Sequence, residues 1–335
     1  MEEITITPIV CKFCGSKAVV KFGHYKQAQR YWCKSCERKF ADNKALPGRQ
    51  VPPERVGAAI ADYYGGLSYG DIAKSMGLRY GREPSKGTVY KWVNRYSRLA
   101  EKEMDSHKVD VDKVVADEIV IITDTGEKLW VFDIMDTKSR YFIVSHASTR
   151  RNVEAVKVAF NQLKERTVKP PKIILTDQMG AYVQGIDDIY GSETTHIRSG
   201  GMRTETNNNR VERLHGSIRE RTKVLRCLRN RKSTQDFLDG WRVDYNMKPH
   251  EALKGKTPSE ALGGQLLFKD WVDVARRDTG EKLSKEPVIP VSIQESVTFV
   301  RESPIVPTEP TPKQIIKRLR REGLLDGTFR RGRPF

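Results

Sequence analysis

Apolar and polar positions alternate in three different rhythms along this chain. In the middle, apolar runs at residues 117–122, 129–136 and 141–146 read as strands, and the turn Thr137-Lys138-Ser139-Arg140 makes the second and third an antiparallel hairpin. Val153, Val156, Phe160 and Leu163 then recur at helical spacing between Asn152 and Arg166. Lys172–Thr176 is a fourth strand that ends at Asp177, residues 181–189 form a short helix, and Thr195-His196-Ile197 is a fifth strand. A helix beginning at Thr206 or Asn207 follows. Its stripe is Val211, Leu214, Ile218, Thr222 and Leu225, and Glu212 lies about 120° away with Asn208, His215, Arg219, Lys223 and Arg226.

Upstream, residues 53–99 read as three helices. The first runs from Pro53 to Tyr64 and ends near Gly65-Gly66. The second, capped by Ser68, runs from Tyr69 to Met76 and is stopped by Gly77. The third, capped by Ser85, carries Val89, Trp92, Val93 and Tyr96. Its polar side offers Lys86, Lys91, Asn94, Arg95 and Arg98 as candidate DNA contacts. The stretch Leu78–Pro84 between the second and third helices is longer than the usual three or four residues of a helix-turn-helix. Residues 101–112 are polar and read as a linker. Residues 18–23 and 30–32 read as short strands near the N-terminus. From 285 the chain is Pro-rich and extended, leading to a short basic helix at 313–321 and a basic tail.

Charge narrows the class of partner. The chain carries 60 Lys and Arg against 43 Asp and Glu, a net +17. Residues 1–100 have 18 basic and 8 acidic residues, residues 101–200 have 14 and 17, and residues 201–335 have 28 and 18. Two basic arms flanking an acidic middle suit an enzyme that grips a polyanion on both sides of a metal site. No apolar run approaches the roughly 20 residues of a membrane span, and no signal peptide is apparent. A soluble cytoplasmic, nucleoid-associated protein is expected.

Four of the five cysteines fall into Cys11-x-x-Cys14 and Cys33-x-x-Cys36, with 18 residues between the pairs, while Cys227 stands alone. Two such knuckles predict one structural Zn²⁺ held by Cys11, Cys14, Cys33 and Cys36. Gly15 and Glu37 follow the second cysteine of each pair, where such knuckles turn.

Three acids carry the candidate chemistry. Asp117 opens the first central strand, Asp177 ends the fourth, and Glu212 stands on the later helix with 34 residues between it and Asp177. Neighbours on a strand face opposite sides, so Asp117 and Glu118 are not expected to point at one metal together. A capping box with Asn209 is the plainer reading of Glu212, and a turn that of Asp177.

The acids, their spacing, the wording around Glu212 and the stretch Tyr245-Asn246…Pro249-His250…Gly255-Lys256-Thr257-Pro258 resemble the DDE transposases of prokaryotic insertion sequences. These share an RNase H-like core with retroviral integrases. The stretch Leu67–Gly77 likewise resembles the helix-turn-helix of many transposases and regulators. The resemblance implies a multi-domain chain: a zinc ribbon (1–48), an all-α helix-turn-helix domain (52–100), an α/β RNase H-like catalytic core with a mixed five-stranded sheet (112–264), and a C-terminal extension (265–335). It implies that Asp117, Asp177 and Glu212 hold two Mg²⁺ or Mn²⁺ ions roughly 3.5–4 Å apart for DNA cleavage and strand transfer. It also implies double-stranded DNA partners (element ends and target) and a homodimer or higher oligomer on DNA, with Arg219, Lys223 and Arg226 along the phosphates. A two-metal nuclease or resolvase, and a non-catalytic DNA-binding regulator, remain as alternatives.

Overall fold

The computed structural model describes residues 9–25, 28–46, 49–198, 209–225, 228–263 and 267–278. The expected Pro-rich stretch, the basic helix at 313–321, Arg226 and Cys227 lie outside them.

Three antiparallel strands make the N-terminal ribbon: β1 (Val19–Tyr25), β2 (Ala28–Cys33) and β3 (Lys39–Ala41), the last not foreseen from sequence. Its core is only Cys11, Tyr31, Cys33 and Phe40 with a few half-buried neighbours, too little to hold a fold without a staple.

Helix α1 (Pro53–Gly65) ends at Gly66 as expected. Helix α2 (Tyr69–Tyr80) is capped by Ser68, but it does not stop at Gly77; Gly81, at φ 69°, ends it. Gly77 has another use: a Cβ there would press on Glu83 Cβ at 3.1 Å, where the following loop folds back over the helix. Helix α3 (Lys86–Ser106) is also longer than its apolar pattern. The expected linker begins as its last turns because tertiary contacts hold them: Met104 is buried, and Asp105 pairs with Arg166 at 2.6 Å and Arg242 at 2.7 Å.

The central sheet is built from β4 (Lys113–Ile122), β5 (Lys128–Asp136), β6 (Phe142–Ser148), β7 (Ile173–Thr176) and β8 (Thr195–Arg198) in the order β6-β5-β4-β7-β8. The first three are antiparallel, and β7 and β8 run parallel to β4. Between the strands lie α4 (Val153–Arg166), α5 (Gly180–Tyr190) and a 3-10 turn (Gly191–Glu193). Helix α6 (Asn209–Val224) follows the sheet, then α7 (Arg231–Met247). This is the mixed five-stranded, RNase H-like core expected from the element order. Asp117, however, is not at the start of a strand. It is the fifth residue of a ten-residue β4, opposite Asp133 of β5.

Helix α7 escapes sequence periodicity because it is buried nearly all round, with polar residues inside. Arg242 donates to Asp105 and to the Ile143 carbonyl at 3.1 Å, and Asn246 accepts from the Phe142 N–H at 2.8 Å and donates to its carbonyl at 2.9 Å. These hydrogen bonds tie the buried polar side chains of α7 to β6 and α3, although Arg242 Nε is left without a partner. The chain ends its described part with a 3-10 turn (Glu251–Leu253), α8 (Pro258–Leu262) and α9 (Trp271–Arg276). Trp271 stacks on Tyr64 of α1, 5.3 Å between rings, and its indole N–H donates to Asp244 at 2.9 Å. One hydrophobic core therefore runs without interruption from Val56 through the sheet to Ala275.

Candidate metal centres and nucleic-acid face

Asp117 and Asp177 converge because of how β4 and β7 pair. Their parallel ladder covers Lys113–Val115 and Ile173–Leu175, so both chains leave it side by side within two residues. Carboxylate oxygens of Asp117, Glu118 and Asp177 all lie within 4.8 Å of one another. That spread suits oxygens shared by one or two hard divalent ions, since Mg²⁺ takes oxygens at about 2.0–2.1 Å.

The three acids are held differently. Asp177 Oδ1 accepts the Met179 N–H at 2.9 Å, which fixes the turn after β7. Asp117 Oδ1 accepts the Glu118 N–H at 3.0 Å. Glu118 enters the cluster against the expectation that only one of the pair would, because β4 here has no β7 neighbour and side chains from both faces reach its edge. Its carboxylate is already engaged: Arg151 clamps Oε1, with Nε at 2.7 Å, and the Tyr182 hydroxyl donates to Oε2 at 3.0 Å. Burial pushes the Asp117 carboxyl up to about 6; His215 pulls it back, while Glu118 and Asp177 add to the rise. Bringing like charges together under partial burial creates a site that a cation would relieve.

Glu212 stands exposed in the first turn of α6 and does not join this cluster. The anchoring stripe is as expected, with Val211, Leu214, Ile218 and Leu225 buried. His215, one turn beyond Glu212, is buried too, and this was not anticipated. Its Nδ1 is 3.9 Å from Asp117 Oδ2 and its Nε2 is 3.2 Å from Asp133 Oδ2. Asp133 is wholly buried and takes a hydrogen bond from Ser145 at 2.6 Å. A polar line thus crosses the core from Ser145 and Asp133 through His215 to Asp117. The sequence signal was available: an Asp in the apolar run of β5, in register with Asp117.

At the ribbon, the Sγ atoms of Cys11, Cys14, Cys33 and Cys36 also lie within 4.8 Å of one another, with Cys11–Cys36 and Cys14–Cys33 each at 3.6 Å. A Zn–S bond of about 2.3 Å gives tetrahedral sulfur edges of about 3.8 Å, so the four thiols fit zinc. Gly15 and Glu37 both take positive φ, 69° and 55°, in the two knuckles.

Residues 111–251 match the family model of a DDE domain, of the IS240 transposase type. The matched stretch covers the central sheet and the acids described above, so this part of the chain is similar to a DDE domain. No curated protein matches the chain. Among solved structures, the HTLV-2 integrase catalytic core domain in complex with magnesium is similar in its dimeric and trimeric forms. Each is 17% identical and covers 46% of this chain, with 97% and 99% of their own lengths and TM-scores of 0.36 and 0.34. A simian T-cell lymphotropic virus intasome in complex with PP2A regulatory subunit B56 gamma is 12% identical, covering 48% of this chain and 58% of its own at a TM-score of 0.37.

Around the DDE domain, the candidate DNA contacts divide. Lys86, Lys91, Arg219 and Lys223 are exposed, and Asn94 is half-buried in a cleft with Tyr69 and Tyr90. Arg95 is committed to Asp278 at 2.6 Å and Arg98 to Asp236 at 3.3 Å. The Tyr245–Pro258 stretch is structural here: Asn246 locks β6, and Thr257 and Glu260 form a capping box on α8. No helix among the described residues is long and apolar enough to cross a membrane.

Proposed function

We propose that the chain is a transposase that cuts DNA at the ends of its element and joins them to target DNA, with Asp117, Asp177 and Glu212 as the acids that hold two Mg²⁺ or Mn²⁺ ions. The observation that carries this reading is the meeting of the Asp117 and Asp177 carboxylates within a matched DDE domain. Divalent ions, when bound, polarise phosphoryl oxygens and make a water or 3′-hydroxyl nucleophilic at neutral pH. The protein's part is to aim the acids. The β4–β7 ladder and the Met179 N–H orient Asp177, while the Glu118 N–H and His215 orient Asp117. Arg151 and Tyr182 occupy the Glu118 carboxylate beside them. Glu212 comes from the exposed start of α6, on the turn next to His215, and completes the set when DNA is seated. Arg219 and Lys223 follow on the same helix and, together with Arg226, position the phosphates.

The ribbon (1–48) and the helices of 52–100 bind the terminal repeats, and the assembly on DNA is a dimer or larger. Incubating the full chain with a pre-cut duplex end, supercoiled plasmid and Mg²⁺ tests this. Covalent end–plasmid products that vanish with Asp177→Asn support the reading. Nicking without joining indicates a nuclease, and neither product indicates a regulator.

A further inference from the structure

The ribbon strands β2 and β3 face α1 and the α2–α3 turn across an open groove of about 1110 Å³. Six cations line it: Lys12, Arg30, Lys39, Arg49, Arg55 and Arg82; Asp42 is the one acid on its wall. Two of the six have work inside the protein. The Lys12 ammonium donates to Asn43 Oδ1 at 2.6 Å and the Ala45 carbonyl at 2.9 Å, and Arg49 pairs with Asp278 at 2.6 Å.

The other four come from four separate segments: β2, β3, α1 and the α2–α3 turn. Among the described residues none of them has a carboxylate within 4.0 Å. Three of the four lie over ring faces. Lys39 Nζ sits 3.9 Å and the Arg30 guanidinium 5.7 Å from the Phe22 ring, and the Arg55 guanidinium lies 4.7 Å over Tyr80. A ring orients a cation on one side and leaves the other side open to a second partner. Four positive charges without a carboxylate partner repel each other across one opening, which the ring contacts offset only in part. An external polyanion offsets the rest. The helix face expected to grip DNA contrasts with this, since Arg95 and Arg98 are spent on Asp278 and Asp236.

We infer that this groove is a binding site for the sugar–phosphate backbone of duplex DNA, held by Arg30, Lys39, Arg55 and Arg82, so that ribbon and helices grip one duplex jointly. The inference deepens the transposase reading and rests on its DNA-binding part. It assigns these four residues to phosphates, hence to affinity and not to sequence choice.

The test compares the zinc-loaded full chain with a variant carrying Arg30→Gln, Lys39→Gln, Arg55→Gln and Arg82→Gln. A control of equal net charge carries Lys157→Gln, Lys164→Gln, Lys169→Gln and Lys172→Gln. Fluorescence anisotropy with a random-sequence duplex is read across a salt series. The groove variant should lose at least about tenfold in affinity near 0.1 M salt, and its log–log salt slope should flatten by about 0.9 for each phosphate that is no longer neutralised. The control should match wild type. Equal binding and slope in the groove variant overturn the inference while leaving the transposase reading standing. Failure of the wild-type chain to bind any duplex overturns both. Should the groove variant not fold, acetylation of Lys39 in the unaltered chain replaces it: protection by duplex DNA supports the site, and full reactivity in the complex removes it.

Discussion

The line from Asp133 through His215 to Asp117 allows a quantitative test of how the core aims its first acid. Asp133 is fully buried, and its two oxygens have one partner each: the Ser145 hydroxyl at 2.6 Å on Oδ1 and His215 Nε2 at 3.2 Å on Oδ2. Those two atoms approach within ion-pair distance without an aligned hydrogen bond, and neither finds a hydrogen-bond partner elsewhere among the described residues. Replacing His215 with Leu keeps the volume but leaves Oδ2 facing only apolar atoms. Leaving a buried polar group without its partner costs about 1–3 kcal/mol. Burial already holds the Asp133 carboxyl above its ordinary range, so the side chain can escape by keeping a proton, which points to the lower end. A loss of about 1–2 kcal/mol lowers the melting midpoint of a domain this size by roughly 2–8 °C. In the double variant His215→Leu/Asp133→Asn the carboxylate is gone and the Ser145 partner is kept, so most of the loss should return. The expected coupling is about 1 kcal/mol, read from denaturation of the four proteins in chelator-free, zinc-loaded form. Additive single effects, with coupling under about 0.5 kcal/mol, would refute the pairing.

Further outcomes follow from other parts of the molecule. Asp117, with its carboxyl raised to about 6 from the ordinary 3.8, contributes stability that is complete below about pH 4 and lost as pH rises through about 6. Asp117→Asn should therefore stabilise the Mg²⁺-free protein at pH 7.5, by on the order of 2 kcal/mol, and make little difference at pH 4; the same shift in melting at both pH values would contradict the burial argument. Asp177→Asn should abolish metal-dependent cleavage while leaving circular dichroism and end binding near wild type, and retained strand joining would remove Asp177 from the site. The four cysteines should hold one equivalent of zinc by metal analysis, and chelation should unfold the ribbon alone; ribbon amides still protected from hydrogen exchange in chelator would argue against a metal staple. In Gly240→Ala the new Cβ would lie 1.8 Å from the Tyr64 hydroxyl, which Ser97 and the Trp271 stack hold in place. A loss of about 1–3 kcal/mol is expected from that overpacking, and an unchanged melting point would show that Tyr64 moves freely.

The central domain was legible because its elements are short, apolar and separated by turn residues. The hairpin, the Asn152 cap, Asp177 at the strand end and the buried stripe of α6 all follow from local pattern. What failed to show was decided by tertiary contact. Helix α3 runs on past Tyr96 because Asp105 finds Arg166 and Arg242, residues more than 60 positions away. Helix α7 hides its burial behind Arg242, Asp244 and Asn246, whose partners no periodicity reveals. At the site, strand alternation argued against Asp117 and Glu118 converging, yet the short β7 frees that edge of β4. His215 looked like part of a solvated cationic face; only the fold places it over Asp133.

Asp117 and Asp177, with Glu212, are proposed to hold divalent ions against DNA, and everything else in the mechanism depends on that. Mn²⁺ titrated into the zinc-loaded full chain bound to a pre-cut duplex end, followed by electron paramagnetic resonance, measures this directly. Two Mn²⁺ should bind wild type with the spin coupling of neighbouring ions, and Asp117→Asn, Asp177→Asn and Glu212→Gln should each lose at least one. Unchanged Mn²⁺ binding in the two aspartate variants would contradict the site, and loss in those two but not in Glu212→Gln would leave Glu212 as the exposed first-turn residue that it is in the DNA-free fold.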